Sequence, residues 1–223
     1  LVSRGLGDVY KRQIKYSKDW RGRINEKALC VVFPKNQDEV SKILKFCYDN
    51  DIKVIPQGGN TNLVASASPS KEKKEIIINM EKINKIHHID ILNKCVEVDA
   101  GVKIDDLNTS LEKDGFLFPL EMASTGSSQV GGVISTNAGG INVLHYGSVR
   151  NNLLGLDVVL SNGKILTLGS KVVKDNTGYN LKDLFCGSEG TLGIITRAIL
   201  KIYPKAQNYF TFIALIPLLI FNF

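Results

Sequence analysis

Residues 119–147 read PLEMASTGSSQVGGVISTNAGGINVLHYG, and no charge falls between Glu121 and His145. Gly126, Gly131, Gly132, Gly139 and Gly140 alternate there with serine, threonine and asparagine. Few folds accommodate such a segment. Glycine admits φ > 0 and lets a neighbouring backbone or ligand approach without a Cβ in between, and Ser128, Thr136 and Asn137 add short polar side chains. Loops beyond about 12–15 residues are usually functional or disordered. Val130, Val133, Ile134, Ile141 and Val143 are residues of a buried kind and argue for order. The stretch therefore predicts a close-approach surface for an anionic or highly polar ligand.

The rest of the chain narrows the ligand. With 223 residues, 43% hydrophobic and 22% charged, it has the material for one large or two small domains. The formal charge of +6 raises nucleic acid as a partner. Its lysines are scattered, however, and the cluster at Lys71, Lys73 and Lys74 is interleaved with Glu72 and Glu75, so nucleic acid is excluded in favour of anionic small molecules. Cys30, Cys47, Cys95 and Cys186 are far apart with no CxxC, which reads as reduced, buried thiols. Residues 1–13 show no periodicity and no secretory core, so 1–16 is set aside as a non-native or disordered segment. Residues 210–223 are apolar but shorter than the roughly 20 residues a membrane helix requires. Pro217 interrupts them, and 208–223 reads as the start of a further, C-terminal domain.

In chain order, residues 28–33 (ALCVVF) predict a buried strand stopped by Pro34. Asn36 with Glu39 predicts a helix start, and Val40, Ile43, Leu44 and Cys47 share one face of a helix over 37–49. A strand over 53–56 then delivers Gln57, Gly58, Gly59, Asn60, Thr61, Asn62 and Leu63, whose N–H groups can turn toward one point as a diphosphate requires. Strands follow at 75–79, 85–91 and 95–100, with a helix marked by Ile104, Leu107 and Leu111 and ended by Gly115. Segments 153–160 and 164–168 flank the turn signal Ser161, Asn162 and Gly163, and 193–203 is one long β-prone run. A third polar loop, 174–193, carries four more glycines. No GxxxxGK[ST] occurs and no GxGxxG follows a strand, so the common nucleotide cradles are absent. Three separated glycine loops suit one long ligand that is polar at several points.

PQGGNTNL, TGSSQVGGVISTNAGG, LHYGSVRNNLLGLDVVLSNG and KDNTGYNLKDLFCGSEGTLGIIT, with SKDWRGR at 17–23, resemble the FAD-binding domain of vanillyl-alcohol-oxidase type flavoproteins. The resemblance is strongest to the D-2-hydroxyglutarate dehydrogenase and glycolate oxidase flavin-subunit group. It implies an α+β, two-lobed FAD-binding domain of the vanillyl-alcohol-oxidase and p-cresol methylhydroxylase type over 17–207. Lobe one would cover about 28–80, with a small sheet, and lobe two about 81–207, with a larger mixed sheet. It also implies dissociable FAD, because the first glycine loop has no histidine for a covalent link.

By motif position, the resemblance implies that Gln57, Gly58, Gly59, Asn60, Thr61, Asn62 and Leu63 hold the pyrophosphate. Thr125, Gly126, Ser127, Ser128, Gly131, Gly132, Thr136, Asn137, Ala138 and Gly139 would line the ribityl chain and ring, with Tyr146 beside them. Glu189, Gly190, Ile194 and Ile195 would close over the cofactor. Asn62, Ala65 and Ser66 stand where the group usually has glycine, and His145 where it often has arginine. The implied activity is oxidation of a D-2-hydroxyacid such as 2-hydroxyglutarate, lactate or glycolate, with a quinone or electron-transfer protein as acceptor. The implied setting is cytoplasmic, or mitochondrial in a eukaryote, with no membrane span. Two alternatives stay open: a truncated FAD-binding module without catalysis of its own, and a flavin-dependent reductase of the same superfamily.

Other residues receive plainer readings. His87 and His88 are adjacent on a strand and point to opposite faces, so no metal site is expected. Arg150 and Lys174 are the cations nearest the glycine loops in sequence, placed either to tune a flavin or to serve the surface. Tyr146 and Tyr179 are read as core aromatics before ring partners. No catalytic base is identified.

Overall fold

The first apolar run, the amphipathic helix and the two runs after it build a small parallel sheet in the computed structural model, which describes residues 14–24, 26–70, 74–208 and 210. The readings of 1–13 and 211–223, and of Lys71, Glu72 and Lys73, lie outside the described residues. Strands β1 (Cys30–Val32), β2 (Lys53–Gln57) and β3 (Glu75–Asn79) are ordered β1-β3-β2, all parallel. Every residue of β3 is buried, because its EIIIN sequence sits between two neighbours with both faces covered. Helix α1 (Gln37–Asp49) crosses from β1 to β2. Asn36 Oδ1 accepts the Glu39 N–H at 2.9 Å, and the Glu39 carboxylate reaches back to the N–H of Lys35 at 2.8 Å, one residue before the cap itself. Val40, Leu44 and Cys47 form its buried stripe. Cys30 is half-buried where the sequence reading had all four thiols buried, because β1 is an edge strand.

The later strands make a five-stranded sheet ordered β4-β5-β9-β7-β8, from β4 (Ile86–Asp90), β5 (Cys95–Asp99), β7 (Leu153–Val159), β8 (Ile165–Gly169) and β9 (Ile194–Lys201). The resemblance implied a mixed sheet, yet every pair here is antiparallel. The tight turns after β4 and β7 enforce this for the outer pairs. β9 then enters between β5 and β7, which run the same way, and opposes both. Between these elements lie β6 (Phe116–Leu117), which pairs with β10 (Tyr203–Pro204), and α2 (Ile104–Glu112). Four short helices complete the order: α3 (Val130–Ser135), α4 (Val143–Tyr146), α5 (Val149–Asn152) and α6 (Lys182–Phe185). The β-prone run over 193–203 ends as strand at Lys201, and the Ile202 N–H carries the pairing with β5 one residue further, onto Lys94 O at 2.9 Å.

One face of this sheet holds Val96, Val98, Ala198 and Leu200 against Ile104, Leu107, Leu111, Val130 and Ile134 from α2 and α3, all fully or nearly fully buried. Each large aliphatic side chain so buried contributes about 1.5–3 kcal/mol. The other face carries charge. Arg197 is in register with Asp99 on one side and Asp157 on the other, and its Nη1 donates to Glu97 at 3.1 Å. The hydrogen bond from Lys171 holds the Glu97 carboxyl below its ordinary range. His87 reaches Asp99 at 2.6 Å and His88 is in register with Glu97 of the same charged face, because the pairing of β4 shifts between Ile86 and His88. The strict alternation that would send the two histidines to opposite faces does not hold there.

The two sheets are tied through α1. Ser41 Oγ donates to Gly163 O at 2.6 Å in the β7–β8 turn, where Gly163 has φ +82° and lies so close to α1 that a Cβ would come within 2.9 Å of Ser41 O.

Candidate cofactor site

A cavity of about 360 Å³ opens where the end of β2, the residues after β5, helix α3 and the start of β9 meet. All three glycine-rich loops reach it. In the first, Gly59 lies against the backbone of the second: a Cβ on it would fall 1.9 Å from Ser127 O and 2.7 Å from Ser127 C. Its φ is not positive, so close approach rather than a left-handed turn explains this glycine. The left-handed residue is its neighbour Asn60, at φ +53°, pinned by its Nδ2 donating to Lys18 O at 2.7 Å. Among the described residues, the N–H groups of Gly59, Asn60, Thr61 and Asn62 meet no protein acceptor. Below them Thr61 Oγ1, Ser128 Oγ and Ser124 Oγ form a hydroxyl chain with spacings of 3.2 and 2.8 Å. Gln57 is on the wall, but its side chain is committed to the fold, with Nε2 donating to Tyr16 O and Ala67 O and Oε1 accepting from Asn79.

The second stretch is built by crowding as well. None of Gly126, Gly131, Gly132, Gly139 and Gly140 has positive φ. A Cβ on Gly131 would meet the Ala100 Cβ at 2.8 Å, and one on Gly140 the Glu121 carbonyl oxygen at 2.3 Å. Gly131 N–H donates to Ala100 O at 2.8 Å, so α3 is seated on the end of β5, and Gly132 is left facing open space on the cavity wall. Val130, Val133 and Ile134 are buried as the sequence reading had it, but Ile141 and Val143 are 74% and 38% exposed. They fall beyond α3, where the chain has left the sheet.

The third loop hangs from the C-terminal end of α3. Gly187 N–H donates to Ile134 O at 3.0 Å and Glu189 N–H to Ser135 O at 2.8 Å, satisfying carbonyls the helix leaves open. Glu189 (φ +51°) and Gly190 (φ +79°) then turn the chain against Pro56, whose Cγ would be 2.5 Å from a Cβ on Gly190. First, second and third loops are thereby one wall.

Of the positions singled out from sequence, Gln57, Gly58, Gly59, Asn60, Thr61, Asn62, Leu63, Ser128, Gly131, Gly132, Thr136, Ala138, Glu189, Gly190, Ile194 and Ile195 line the cavity. Thr125, Gly126, Ser127, Asn137, Gly139 and Tyr146 are not on its wall. The Thr125 N–H closes a turn onto Met122 O, Gly126 faces Asp105, and the Ser127 carbonyl packs against Gly59 without accepting its N–H. Gly139 is turned toward Val143. Asn137 Oδ1 accepts the Arg150 N–H at 3.0 Å, and Tyr146 packs edge-on against Tyr203 with ring centroids 4.7 Å apart. Arg150 is a carbonyl clamp, with Nη1 donating to Asp183 O and Nη2 to Cys186 O. Tyr179 is 91% exposed, not core, and Lys174 is exposed too. Burial pushes the Cys186 thiol up despite the nearby Arg150.

Sequence reasoning missed Ser124, Met80 and Met122, which share the wall, and gave Gln129, inside the quoted motif, no role of its own. Ser124 stood just before the quoted motif and was passed over because attention went to its glycines. Glu189 is the only ionisable residue of the wall among the described residues. An anion there is met by N–H and hydroxyl groups rather than by a cation.

This two-sheet frame is the vanillyl-alcohol-oxidase type FAD-binding fold. The solved structure of an alkyldihydroxyacetonephosphate synthase superposes with a TM-score of 0.78 at 26% identity, over 88% of this chain and 37% of that one. The chain belongs to the FAD binding domain family, whose profile matches residues 28–169. It is 42% identical over 195 residues to a D-2-hydroxyglutarate–pyruvate transhydrogenase of Saccharomyces cerevisiae, covering 86% of this chain and 39% of that one. It is 41% identical over 190 residues to the mitochondrial D-2-hydroxyglutarate dehydrogenase of Arabidopsis thaliana, covering 85% of this chain and 34% of the relative. The chain thus spans between a third and two-fifths of the length of these curated relatives. Its cofactor is FAD, and the wall suits it: unpaired N–H groups at Gly59–Asn62 fit a diphosphate, the hydroxyl chain fits a polyol, and Gly132 leaves room for a close-lying group.

Proposed function

We propose that this chain is the cofactor-holding part of an oxidoreductase that oxidises a D-2-hydroxyacid of the 2-hydroxyglutarate, lactate or glycolate kind. The observation that carries this reading is the likeness of 42% over 195 residues to a relative named for D-2-hydroxyglutarate. Bound FAD supplies the acceptor for the hydride leaving the hydroxyacid α-carbon. The residues of this chain bind and orient it. Gly59–Asn62 N–H groups receive the diphosphate, the Thr61–Ser128–Ser124 hydroxyls offer hydrogen bonds to the polyol, and the loop at 189–195 shields the wall from water. A quinone or an electron-transfer protein is the expected acceptor of the electrons, and a mitochondrial setting follows the relatives' names if the source is eukaryotic.

A second reading has its own support. A hydroxyacid needs a group to take its hydroxyl proton and a cation for its carboxylate, and Glu189 is the only ionisable wall residue among those described. On that ground residues 1–223 hold FAD without turning substrate over. The reductase alternative loses ground to the hydroxyacid relatives. The test is dye reduction by FAD-loaded 1–223 and by the same chain extended through whatever its reading frame encodes past Phe223. D-2-hydroxyglutarate, D-lactate and glycolate are supplied in turn. The extended protein should turn over at least one of them at about 1 per second or faster, and 1–223 should turn over none. An extended, FAD-loaded protein inert toward all three would overturn the hydroxyacid reading.

A further inference from the structure

Gln129 lies between the first glycine loop and the cavity, and neither end of its amide has a partner among the described residues. Its Oε1 is fully buried beneath Gly58, where a Cβ would stand 3.2 Å from that oxygen and 3.6 Å from the Gln129 Cβ. The residue is only 5% exposed and lines the cavity. Its Nε2 is not among the fully buried atoms, so the access it keeps is through the cavity. The backbone is fixed on both sides, with Ile104 N–H donating to Ser128 O at 3.0 Å and Val130 N–H to Val102 O at 2.9 Å. The amide is thus held in place, beside the loop whose N–H groups at Gly59–Asn62 are unpaired, on a wall without a cation.

We propose that Gln129 is a diphosphate-holding residue, its Nε2 donating a hydrogen bond to a diphosphate oxygen of bound FAD. The inference rests on the assignment of FAD to this cavity and gives a side-chain role to a residue between the glycines of the second motif. While the buried Oε1 takes no part, the unpartnered Nε2 donor at the cavity wall gains an acceptor when the anionic ligand arrives. It also supplies a neutral donor where desolvating a lysine would be expensive.

The experiment is a titration of the whole chain, wild type, Gln129→Met and Gln129→Glu, with FAD by flavin fluorescence, and with ADP and riboflavin by competition against FAD. Thermal unfolding of each variant is recorded alongside. Met conserves volume and removes the donor. It should weaken FAD and ADP by the same factor, about 10-fold or more, the worth of one hydrogen bond to a charged group. Glu places a charge against the diphosphate and should weaken both by more than about 10-fold through like-charge repulsion in a partly buried site. Riboflavin, which lacks phosphate, should compete equally well with all three proteins. Gln129→Met binding FAD and ADP as the wild type does, Gln129→Glu doing so, or an equal loss for riboflavin, would each overturn the proposal. A wild-type chain that binds no FAD at all would instead remove the cofactor assignment beneath it.

Discussion

Adding one methyl group at Gly59 tests the site at its tightest point. The Cβ of Gly59→Ala would lie 1.9 Å from the Ser127 carbonyl oxygen, and ordinary contact begins near 3.4 Å, so one backbone must retreat by about 1.5 Å. Neither partner is a flexible side chain, so the strain is not absorbed locally, and overpacking of this kind costs about 1–3 kcal/mol of stability. The same retreat would carry the N–H groups of Gly59–Asn62 away from the place proposed for the diphosphate. Hydrogen bonds to a charged group are worth about 1.5–3 kcal/mol each, and losing two lowers FAD affinity about 100-fold or more. Gly132→Ala is the contrast, since its Cβ would meet nothing within 4 Å and its φ is not positive, yet it faces the cavity. It should leave urea stability within about 0.5 kcal/mol of wild type while still weakening FAD. Flavin fluorescence titration and urea unfolding on the two variants separate the effects. If Gly59→Ala held FAD within threefold of wild type, the crowding argument would be refuted and the first loop would be a turn with no part in binding.

Three further outcomes follow from the structure. Ala65 sits at φ +59°, so Ala65→Gly should raise urea stability by about 0.5–1 kcal/mol, and a decrease would show the left-handed strain to be relieved already. Arg150→Met leaves the carbonyls of Asp183 and Cys186 without their donor, and hydrogen exchange over 183–190 should accelerate while strand β5 keeps its protection; unchanged exchange there would mean the clamp carries no load. The Glu97 carboxyl is held below its ordinary range, chiefly by Lys171, so it adds stability that is present above the unfolded carboxylate pKa and is lost as pH falls through the folded one. Acid unfolding of Glu97→Gln should therefore be flatter than wild type below about pH 4.5, with an unaltered slope counting against the linkage.

What the chain disclosed in advance depended on the range of the physics. Helix α1 could be placed from Asn36, Glu39 and a stripe at helical spacing because caps and periodicity are local, and Gln37–Asp49 is what formed. The β7–β8 turn was legible from Ser161, Asn162 and Gly163 for the same reason, and Gly163 does take positive φ. The glycines at 126–140 were legible as a close-approach backbone, but what approaches was not: Gly131 gives way to Ala100 and Gly140 to Glu121, partners that no local pattern names. Tyr146 and Arg150 stood beside the motif in sequence, yet their partners, Tyr203, Asp183 and Cys186, lie more than 30 positions further along. Ile141 and Val143 were legible as apolar but not as exposed, since that depends on α3 ending before them.

Strand β9, at the middle of the five-stranded sheet, is the last of its strands to leave the ribosome. Until Ile194–Lys201 has emerged, β4–β5 and β7–β8 are two separate hairpins with their inner edges open, and the cavity lacks Ile194 and Ile195. Non-local pairing of this kind is slow and leaves unpaired edges exposed meanwhile. Cofactor capture thus waits on the emergence of β9, after both hairpins have been made. A nascent chain stalled before residue 194 would present two sticky edges and no place for flavin, a substrate for chaperones instead of an early holoenzyme.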